Sequence, residues 1–448
     1  MPAAEPARGR RGPGHAKIAG RFLLSARWVV PVEPAGAVLE HHAVAVRDGG
    51  IEKVLPSEEA FRDLPDYERV ELPDHVLIPG LVNAHTQAAM SLLRGFPTER
   101  KSAAEKRVLS ARFVRDGTAL ACAEMLRGGI TCFNDMYFFP EAALEAALEA
   151  GMRVSLGLVV VELATAYASD PADYLRKGLA LRDRHRDHPL VSFCLAPHTV
   201  PDAPLRQIAT LAAELDLPVL LQVHETESEI ERSLAEHGIR PIERLRRLGL
   251  LGPGLIAVHA VHLQPEEIHL LARHGCSVVH CPSSNLKLAS GFAAVDSMLK
   301  NNINVALGTD GAASNNRLDL FTEMRTAALL AKAVARDAQA LPAHEALRAA
   351  TLGGARALGL GARVGSIEPG KRADLVAVAL RGPELVPCYD PVSHLVYAAG
   401  REHVTHVWVD GELRVSDGEL RNPLISAPGS LDTRWQIWQN ALESRADS

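Results

Sequence analysis

One short stretch of the sequence combines an apolar run with side chains that can bind a metal. The run HVLIPGLVNA leads directly into His85, Thr86 and Gln87, and a helical pattern follows. Residues i and i+2 of a strand point to the same side, so a His-X-His sequence at a strand end can place two imidazoles on one metal ion. The second of these positions holds Gln87. The stretch therefore indicates either a metal site with a substituted ligand or a strand end that never held a metal.

Several other apolar runs end in side chains of the same kinds. These candidates are Gln222, His224 and Glu225 after one run, His259 after the next and Asp310 after the last. Histidine and aspartate side chains from separate strands could hold one divalent ion, most plausibly zinc, with an open position for water. Bound zinc lowers the pKa of that water towards about 7. Glu225 is the candidate that would carry protons to the leaving group, and His259 would orient or polarise the attacked atom.

The polar ends follow a regular alternation of apolar runs and helical segments. The eight runs are HVLIPGLVNAHT, GITCFNDMY, RVSLGLVVV, LVSFCLAPH, LPVLLQVHETE, GLIAVHAVHL, CSVVHCPSS and INVALGTDG. Their nearly continuous apolar character is typical of parallel strands covered on both faces. Helical segments such as PEAALEAALEAG, PLRQIATLAAELD and PEEIHLLARHG lie between them. The alternation predicts an α/β fold, a (β/α)8 TIM-type barrel whose strand ends meet at one rim.

Ordinary helix capping offers a second interpretation of the polar ends. Caps and turns also place Asp, Asn and Ser after strands. They do not favour histidine, which recurs at these ends, so we favour a functional site at the rim.

The two ends of the chain have strand-like alternation outside the barrel. We expect a tail at residues 1–17, a first β-sandwich part at 18–75, the barrel at 76–365, a second β-sandwich part at 366–430, and a C-terminal helix or tail at 431–448. Turns are predicted at the sequence RDGG, which begins at Arg47, and at Asp410-Gly411. One small β-domain assembled from both termini is therefore predicted.

Composition narrows the class of protein. The net charge is −6 and the basic residues are scattered, so nucleic acid and anionic membranes are not expected partners. The sequence has no apolar run near the roughly 18 residues that a bilayer span requires. The six cysteines lie mostly in apolar runs without CxxC spacing, which predicts buried free thiols in a reducing cytoplasm.

At the polar ends of the apolar runs the chain resembles the amidohydrolase superfamily. Within that superfamily it resembles the 5'-methylthioadenosine/S-adenosylhomocysteine deaminases and the triazine-hydrolase-like enzymes. The motifs that carry the resemblance are PGLVNAHT, AAMSLLRG, TCFNDMYFFP, APH, HET, AVHAVHL, VVHCPSSNLKL, LGTDGAASNN and SIEPGKRADLVAV. The resemblance implies a zinc-dependent barrel with a composite β-sandwich. It also implies hydrolytic removal of an exocyclic amine from a purine-like or triazine-like ring, a small-molecule substrate and a homodimer.

The resemblance also assigns roles to individual residues. His85 matches a metal ligand of the family, and Asp310 matches both a ligand and a catalytic base. Glu225 matches the glutamate that moves protons, and His259 matches the catalytic histidine of the sixth strand. His198 matches a substrate-contacting histidine, and Glu105 aligns weakly with a ribose-binding glutamate. The loops after LLRG and APH are shorter than is usual in the family.

Two family ligand positions hold glutamine in this chain. Gln87 stands for the second histidine of the strand-1 motif, and Gln222 stands for the strand-5 histidine three residues before Glu225. An amide oxygen can coordinate zinc, but imidazole is the far better donor, so we expect weakened zinc affinity. His224 lies about 6.5–7 Å beyond Gln222 along a strand and could replace it if the rim bulges. It could equally be a rim side chain bonded to a carboxylate or water.

Three functions are compatible with these residues. The first is a zinc hydrolase that deaminates 5'-methylthioadenosine, S-adenosylhomocysteine or a related ring. The second is a catalytically weakened, metal-poor homologue that serves as a binding or oligomer-forming scaffold. The third is hydrolysis of a different leaving group from a related ring, for which the sequence carries no separate signal.

Overall fold

The computed structural model describes residues 20–422 and 432–443. The tail predicted for residues 1–17 lies outside the described residues, as do parts of the predicted C-terminal segment. The domain limits proposed from the sequence remain predictions.

The strands form two sheets of eight strands each within the described residues. In chain order they are β1 (Arg21–Val29), β2 (Leu39–Arg47), β3 (Gly50–Pro56), β4 (Glu68–Pro79), β5 (Leu81–Thr86), β6 (Ile130–Asp135), β7 (Arg153–Val161), β8 (Val191–His198), β9 (Val219–Val223), β10 (Leu255–His259), β11 (Ser277–His280), β12 (Asn304–Leu307), β13 (Leu375–Ala379), β14 (Val404–Val409), β15 (Glu412–Ser416) and β16 (Glu419–Leu420).

Most of the helices follow or precede strands of the sheet that contains β5 to β12. They are α1 (Ser57–Asp63), α2 (Thr98–Val108), α3 (Ala111–Arg127), α4 (Pro140–Ala150), α5 (Pro171–His185), α6 (Asp202–Leu215), α7 (Glu227–His237), α8 (Pro241–Arg247), α9 (Pro265–Arg273), α10 (Pro282–Lys287), α11 (Val295–Lys300), α12 (Leu320–Ala335), α13 (Ala343–Arg348), α14 (Gly354–Ala357), α15 (Pro391–Tyr397) and a last helix at Asp432–Glu443. Short 3₁₀ or π turns occupy Ala88–Leu93, Ala349–Gly353, Pro383–Leu385 and Arg401–His403. The three helices predicted from PEAALEAALEAG, PLRQIATLAAELD and PEEIHLLARHG are confirmed as α4, α6 and α9.

Strands β5 to β12 pair in parallel and in chain order, which confirms the predicted (β/α)8 barrel. Hydrogen bonds between β5 and the residues that follow β12 close it. The Asp310 amide donates to the His85 carbonyl at 3.0 Å. The Asn83 side chain donates to Thr309 Oγ1 at 2.7 Å and accepts from the Thr309 amide at 3.0 Å. The closing bonds therefore bring the C-terminal ends of β5 and β12 together at the rim.

The other sheet is built from both ends of the chain, as predicted. Its order is β16-β15-β14-β13-β4-β1-β2-β3, and β4 pairs with β13 antiparallel. Trp408 of β14 is fully buried in one apolar cluster with Phe22 and Leu24 of β1. The described strands hydrogen-bond as one continuous mixed sheet. Strands from the N-terminal and C-terminal parts of the chain share this core.

The two predicted turns are hairpins of this sheet. Asp48 and Gly49 join β2 to β3 with φ values of 50° and 75°, and Asp410 and Gly411 join β14 to β15 with φ values of 56° and 80°. Two central residues with positive φ are the signature of the tight hairpin turn that Asp-Gly favours.

The apolar run HVLIPGLVNAHT is two strands, and its prediction as one barrel strand is wrong. β4 ends at Pro79 in the β-domain, so the proposed boundary at residue 76 falls inside this strand. Gly80 separates it from β5, and its amide donates to the Asp374 carbonyl at 2.8 Å. A Cβ atom at Gly80 would lie 2.0 Å from Thr131 Oγ1, which leaves space only for glycine.

All six cysteines lie in the described residues as free thiols, five of them buried and Cys388 half-buried. Among the described residues, no helix has the length and apolar character that crossing a bilayer requires.

Candidate active site at the mouth of the barrel

Four residues from three strand ends meet at the mouth of the barrel, and we call them the central cluster: His85, Gln87, Gln222 and Asp310. His85 is fully buried, with its Nε2 atom 3.2 Å from Gln222 Nε2 and 3.7 Å from Asp310 Oδ1. Gln87 lies beside Gly311, because a Cβ atom built there would be 3.3 Å from Gln87 Oε1. The structure therefore brings together the residues that the sequence singled out on strands one, five and eight.

His259 and Glu225 lie next to the central cluster. The ring of His259 is 6.0 Å from that of His85, and its Nε2 atom is 4.0 Å from Glu225 Oε1. Its Nδ1 atom lies 3.2 Å from Asn285 Oδ1. Within the described residues the buried Nε2 atom has no hydrogen-bond partner. Asn285 therefore fixes the ring, while the Nε2 edge faces Glu225.

Asp310 is held as a carboxylate by its neighbours. Its Oδ2 atom accepts from Ser284 Oγ at 2.7 Å, and its Oδ1 atom accepts from the Gly311 amide at 2.7 Å. Burial opposes the charge, but the imidazoles of His85 and His259 and the Ser284 hydroxyl hold the pKa of Asp310 well below its usual range. Sequence reasoning did not single out Ser284, because a serine after a strand is also an ordinary cap or turn residue.

The backbone is left-handed at three of the predicted positions. The φ values are 55° at His224, 71° at His259 and 57° at Asp310. Such conformations are strained for residues with a side chain and concentrate at functional sites. At each strand end the backbone therefore changes direction just where a functional side chain was predicted.

His224 is not brought to the central cluster, and the hypothesis that it replaces a metal ligand is not supported by its position. Its Nδ1 atom donates to the His262 carbonyl at 3.1 Å, and its Nε2 atom accepts from the Ile242 amide at 3.3 Å. Burial lowers the pKa of His224, which keeps the ring neutral for these bonds. The left-handed backbone ends the alternation of β9, so the side chain points away from the face of Gln222.

The two predicted substrate contacts lie further out. His198 is exposed at the end of β8, and its Nδ1 atom is 3.1 Å from Thr199 Oγ1. Glu105 of α2 accepts a hydrogen bond from the Tyr137 hydroxyl at 2.5 Å. Among the described residues no hydrogen bond or ion pair joins Glu105 to the central cluster, and its ribose-binding role remains a prediction.

A cavity of about 470 Å³ opens beside the centre, between the ends of β8 and β9. His198, Gln222, Glu225 and Arg232 are among its lining residues, whereas His85, His259 and Asp310 are not. Small-molecule sites commonly measure about 300–1,000 Å³. Gln222 and Glu225 thus connect the cavity to the buried side chains behind it.

The donors at the mouth do not match the zinc site that the sequence predicts. Within the described residues, no group of three or more His, Cys, Asp or Glu side chains is placed to hold a metal ion. His85 and Asp310 are suitable donors, but the neighbouring positions are neutral amides, which bind zinc poorly compared with imidazole. The residues present therefore do not fit the four-ligand centre that the family resemblance implies.

A buried aspartate beside the mouth predicts how stability depends on pH. Burial raises the pKa of Asp135 to about 7, although its carboxylate accepts a hydrogen bond of 2.8 Å from the Ala88 amide. The folded state therefore holds a proton that the unfolded chain releases, and the free energy of unfolding should fall as pH rises from about 4 to 7. The slope from this group is at most about 1.4 kcal/mol per pH unit.

Asp135→Asn should flatten that slope in urea unfolding measured from pH 5 to pH 8. Asparagine keeps the acceptor for Ala88 and removes the titrating charge. The exposed Asp66→Asn is the matched control and should leave the slope unchanged. Identical slopes in all three proteins would contradict the raised pKa.

The comparisons with known proteins agree with this architecture. A model described as the amidohydrolase family matches residues 76–414. A protein of Saccharophagus degradans named 5-methylthioadenosine/S-adenosylhomocysteine deaminase is 44% identical over 433 residues, covering 94% of this chain and 97% of that protein. One of Teredinibacter turnerae with the same name is 45% identical over 417 residues, covering 89% and 93%.

Solved structures give the same result. A zinc-bound adenosine deaminase of Xanthomonas campestris is 47% identical with a TM-score of 0.91, covering 94% of this chain and 98% of that chain. A zinc-complexed atrazine chlorohydrolase of Arthrobacter aurescens, 22% identical with a TM-score of 0.85 and covering 94% and 100%, shares the fold. The chain therefore belongs to the amidohydrolase family.

Proposed function

We propose that this chain is a hydrolytic deaminase acting on an amino-substituted purine nucleoside of the 5'-methylthioadenosine/S-adenosylhomocysteine type, or on a related heteroaromatic ring. The observation that carries the proposal is the grouping of two acids and two histidines around one point. Glu225 lies 4.0 Å from His259, and Asp310 lies 3.7 Å from His85, whose ring is 6.0 Å from His259. The names of the relatives at 44–45% identity support the substrate class.

In the proposed reaction a water molecule adds to the ring carbon that bears the amine. Asp310 accepts one proton from the water, and Glu225, protonated at the start, gives its proton to the ring nitrogen. As ammonia leaves, the proton on Asp310 passes to the departing amine, and the hydroxyl proton of the intermediate returns to Glu225. The oxygen stays on the ring and ammonia leaves, so the water supplies every atom that the product gains. His259 is oriented by Asn285, and its buried Nε2 atom is available to polarise the attacked position.

Substrate would enter through the cavity beside β8 and β9. Gln222 and Glu225 border this cavity, so a ring held there would reach the central cluster from the side of Glu225. His198 lines the same cavity and is the proposed contact for the sugar or ring. We further propose a small-molecule substrate, a homodimer by likeness to the family, and a cytoplasmic location, which the six free thiols support.

A second candidate function is favoured by Gln87 and Gln222. A homologue whose metal positions hold amides could bind the same ligands without hydrolysing them and act as a binding or oligomer-forming scaffold. The retained Glu225, His259 and Asp310 favour the enzyme, because a scaffold would not require two acids and a histidine at the mouth.

Ammonia release from 5'-methylthioadenosine, S-adenosylhomocysteine and adenosine tests the proposal with the purified full chain. We expect one ammonia to form for each amino-substituted ring consumed. The change in ring absorbance measures that consumption. Ligand binding without any ammonia from these compounds would reject the deaminase and leave the scaffold. Absence of both binding and ammonia would reject both functions for this ligand class.

A further inference from the structure

The ring atom of His85 that faces Asp310 already has a protein partner. Its Nε2 atom lies 3.2 Å from the amide nitrogen of Gln222, within hydrogen-bond distance, and 3.7 Å from Asp310 Oδ1. Gln222 is half-buried and also borders the cavity. An imidazole nitrogen that shares a proton with an amide is not free to donate its lone pair to a cation.

Asp310 is engaged in the same way. Ser284 Oγ binds one carboxylate oxygen and the Gly311 amide binds the other, each at 2.7 Å. Gln87 lies against Gly311, the residue after Asp310, so a neutral amide stands at this ligand position in place of an imidazole. Hydrogen-bond donors therefore stabilise the charge of this carboxylate in a way that does not require a cation.

Neighbouring side chains do not restore the missing donors. His224 uses both ring nitrogens in bonds to the His262 carbonyl and the Ile242 amide. His259 uses its Nδ1 atom for Asn285, and its Nε2 atom, unpartnered among the residues described, faces Glu225 Oε1 at 4.0 Å. Within the part of the chain that the structure describes, no third His, Cys, Asp or Glu completes a group around His85 and Asp310.

We infer that the central cluster works without a resident zinc ion. Gln222 takes the place of a metal as the partner of His85, and the Ser284 hydroxyl and the Gly311 amide occupy the two oxygens of Asp310. The central cluster would have this chemistry whether or not the ring is hydrolysed, which goes beyond the proposed function.

Zinc content and zinc affinity of the full chain test the inference directly. The protein is purified without added metal and analysed by elemental mass spectrometry, and zinc is then titrated against a chromogenic chelator. We expect less than about 0.1 zinc per chain in the native protein. The Gln87→His/Gln222→His variant should bind zinc at least about 100-fold more tightly, because it replaces both amides with imidazoles.

A matched control distinguishes the effect of histidine at these two positions from the effect of histidine added elsewhere on the chain. Gln207 and Gln339 are exposed glutamines, and Gln207→His/Gln339→His adds two imidazoles away from the mouth. This control should bind zinc no more tightly than the native chain. Near-stoichiometric zinc in the native protein that resists the chelator would overturn the inference, and so would equal affinities of the two double variants. If the mouth variant does not fold, the zinc affinity of the native chain alone decides.

Failure of this inference can be told apart from failure of the proposed function. A native protein without zinc that releases ammonia supports both. One that binds 5'-methylthioadenosine without zinc and releases no ammonia supports the inference and rejects the deaminase. A zinc-loaded native protein that releases ammonia supports the deaminase and rejects the inference.

Discussion

Replacing Glu225 with glutamine should lower the rate of ammonia release by about 10²–10⁴-fold, the range expected when a positioned acid–base group is removed. Glutamine keeps the size of the side chain and can still hydrogen-bond the ring, but it cannot deliver a proton. The dissociation constant of 5'-methylthioadenosine should change far less than the rate. Steady-state ammonia release and calorimetric binding measure the two effects separately.

Glu227→Gln is the matched control for this prediction. Glu227 lies two residues further on, exposed in the first turn of α7, and undergoes the same chemical change. Its rate should stay within about twofold of the native rate, because surface substitutions away from a site usually have small effects. Equal rates for the native chain and the Glu225→Gln variant would remove Glu225 from proton transfer.

Arg153→Met should lower the free energy of unfolding by about 3–5 kcal/mol, the usual cost of breaking a buried ion pair by removing one partner. Arg153 is 1% exposed at the start of β7 and binds both carboxylate oxygens of Asp374 at 2.9 Å. It also donates to Asp410 and to the Pro189 carbonyl. The variant leaves the Asp374 charge buried and weakens the junction between the barrel and the β-domain.

Urea unfolding of two further variants tests this explanation. Arg153→Met/Asp374→Asn should recover part of the loss, because no uncompensated carboxylate remains. Arg246→Met removes an arginine from the exposed pair with Glu243, whose side chains are 46% and 31% exposed, and should cost less than about 1 kcal/mol. Comparable losses for Arg153→Met and Arg246→Met would show that burial of the pair is not the cause.

The barrel could be predicted because its physical pattern is strong along the chain. Parallel strands covered by helices must be apolar on both faces, and eight such runs occur. The split at Gly80 could not be predicted in the same way. The residues on both sides of Gly80 are buried and apolar, and the bond from its amide to the Asp374 carbonyl joins positions far apart in sequence.

The grouping of the candidate site residues could be predicted in outline but not in detail. Counting back from Glu225 located Gln222, and the structure places Gln222 against His85. The rule that alternate residues share a strand face failed at His224, because the strand ends at Val223 and the next residue has a φ of 55°. Ser284 gave no signal, since its contact with Asp310 depends on how α10 meets the residues that follow β12.

The composite β-domain has a consequence for synthesis of the protein. β4 is made early, but the strand that covers its free edge, β13, begins only at Leu375. Domains fold as units while translation proceeds from the N-terminus. The nascent chain therefore carries an unpaired strand edge until the ribosome has passed the whole barrel. Unpaired edges recruit other strands, so the unfinished polypeptide is more exposed to aggregation than the completed protein and depends most on chaperones at that stage.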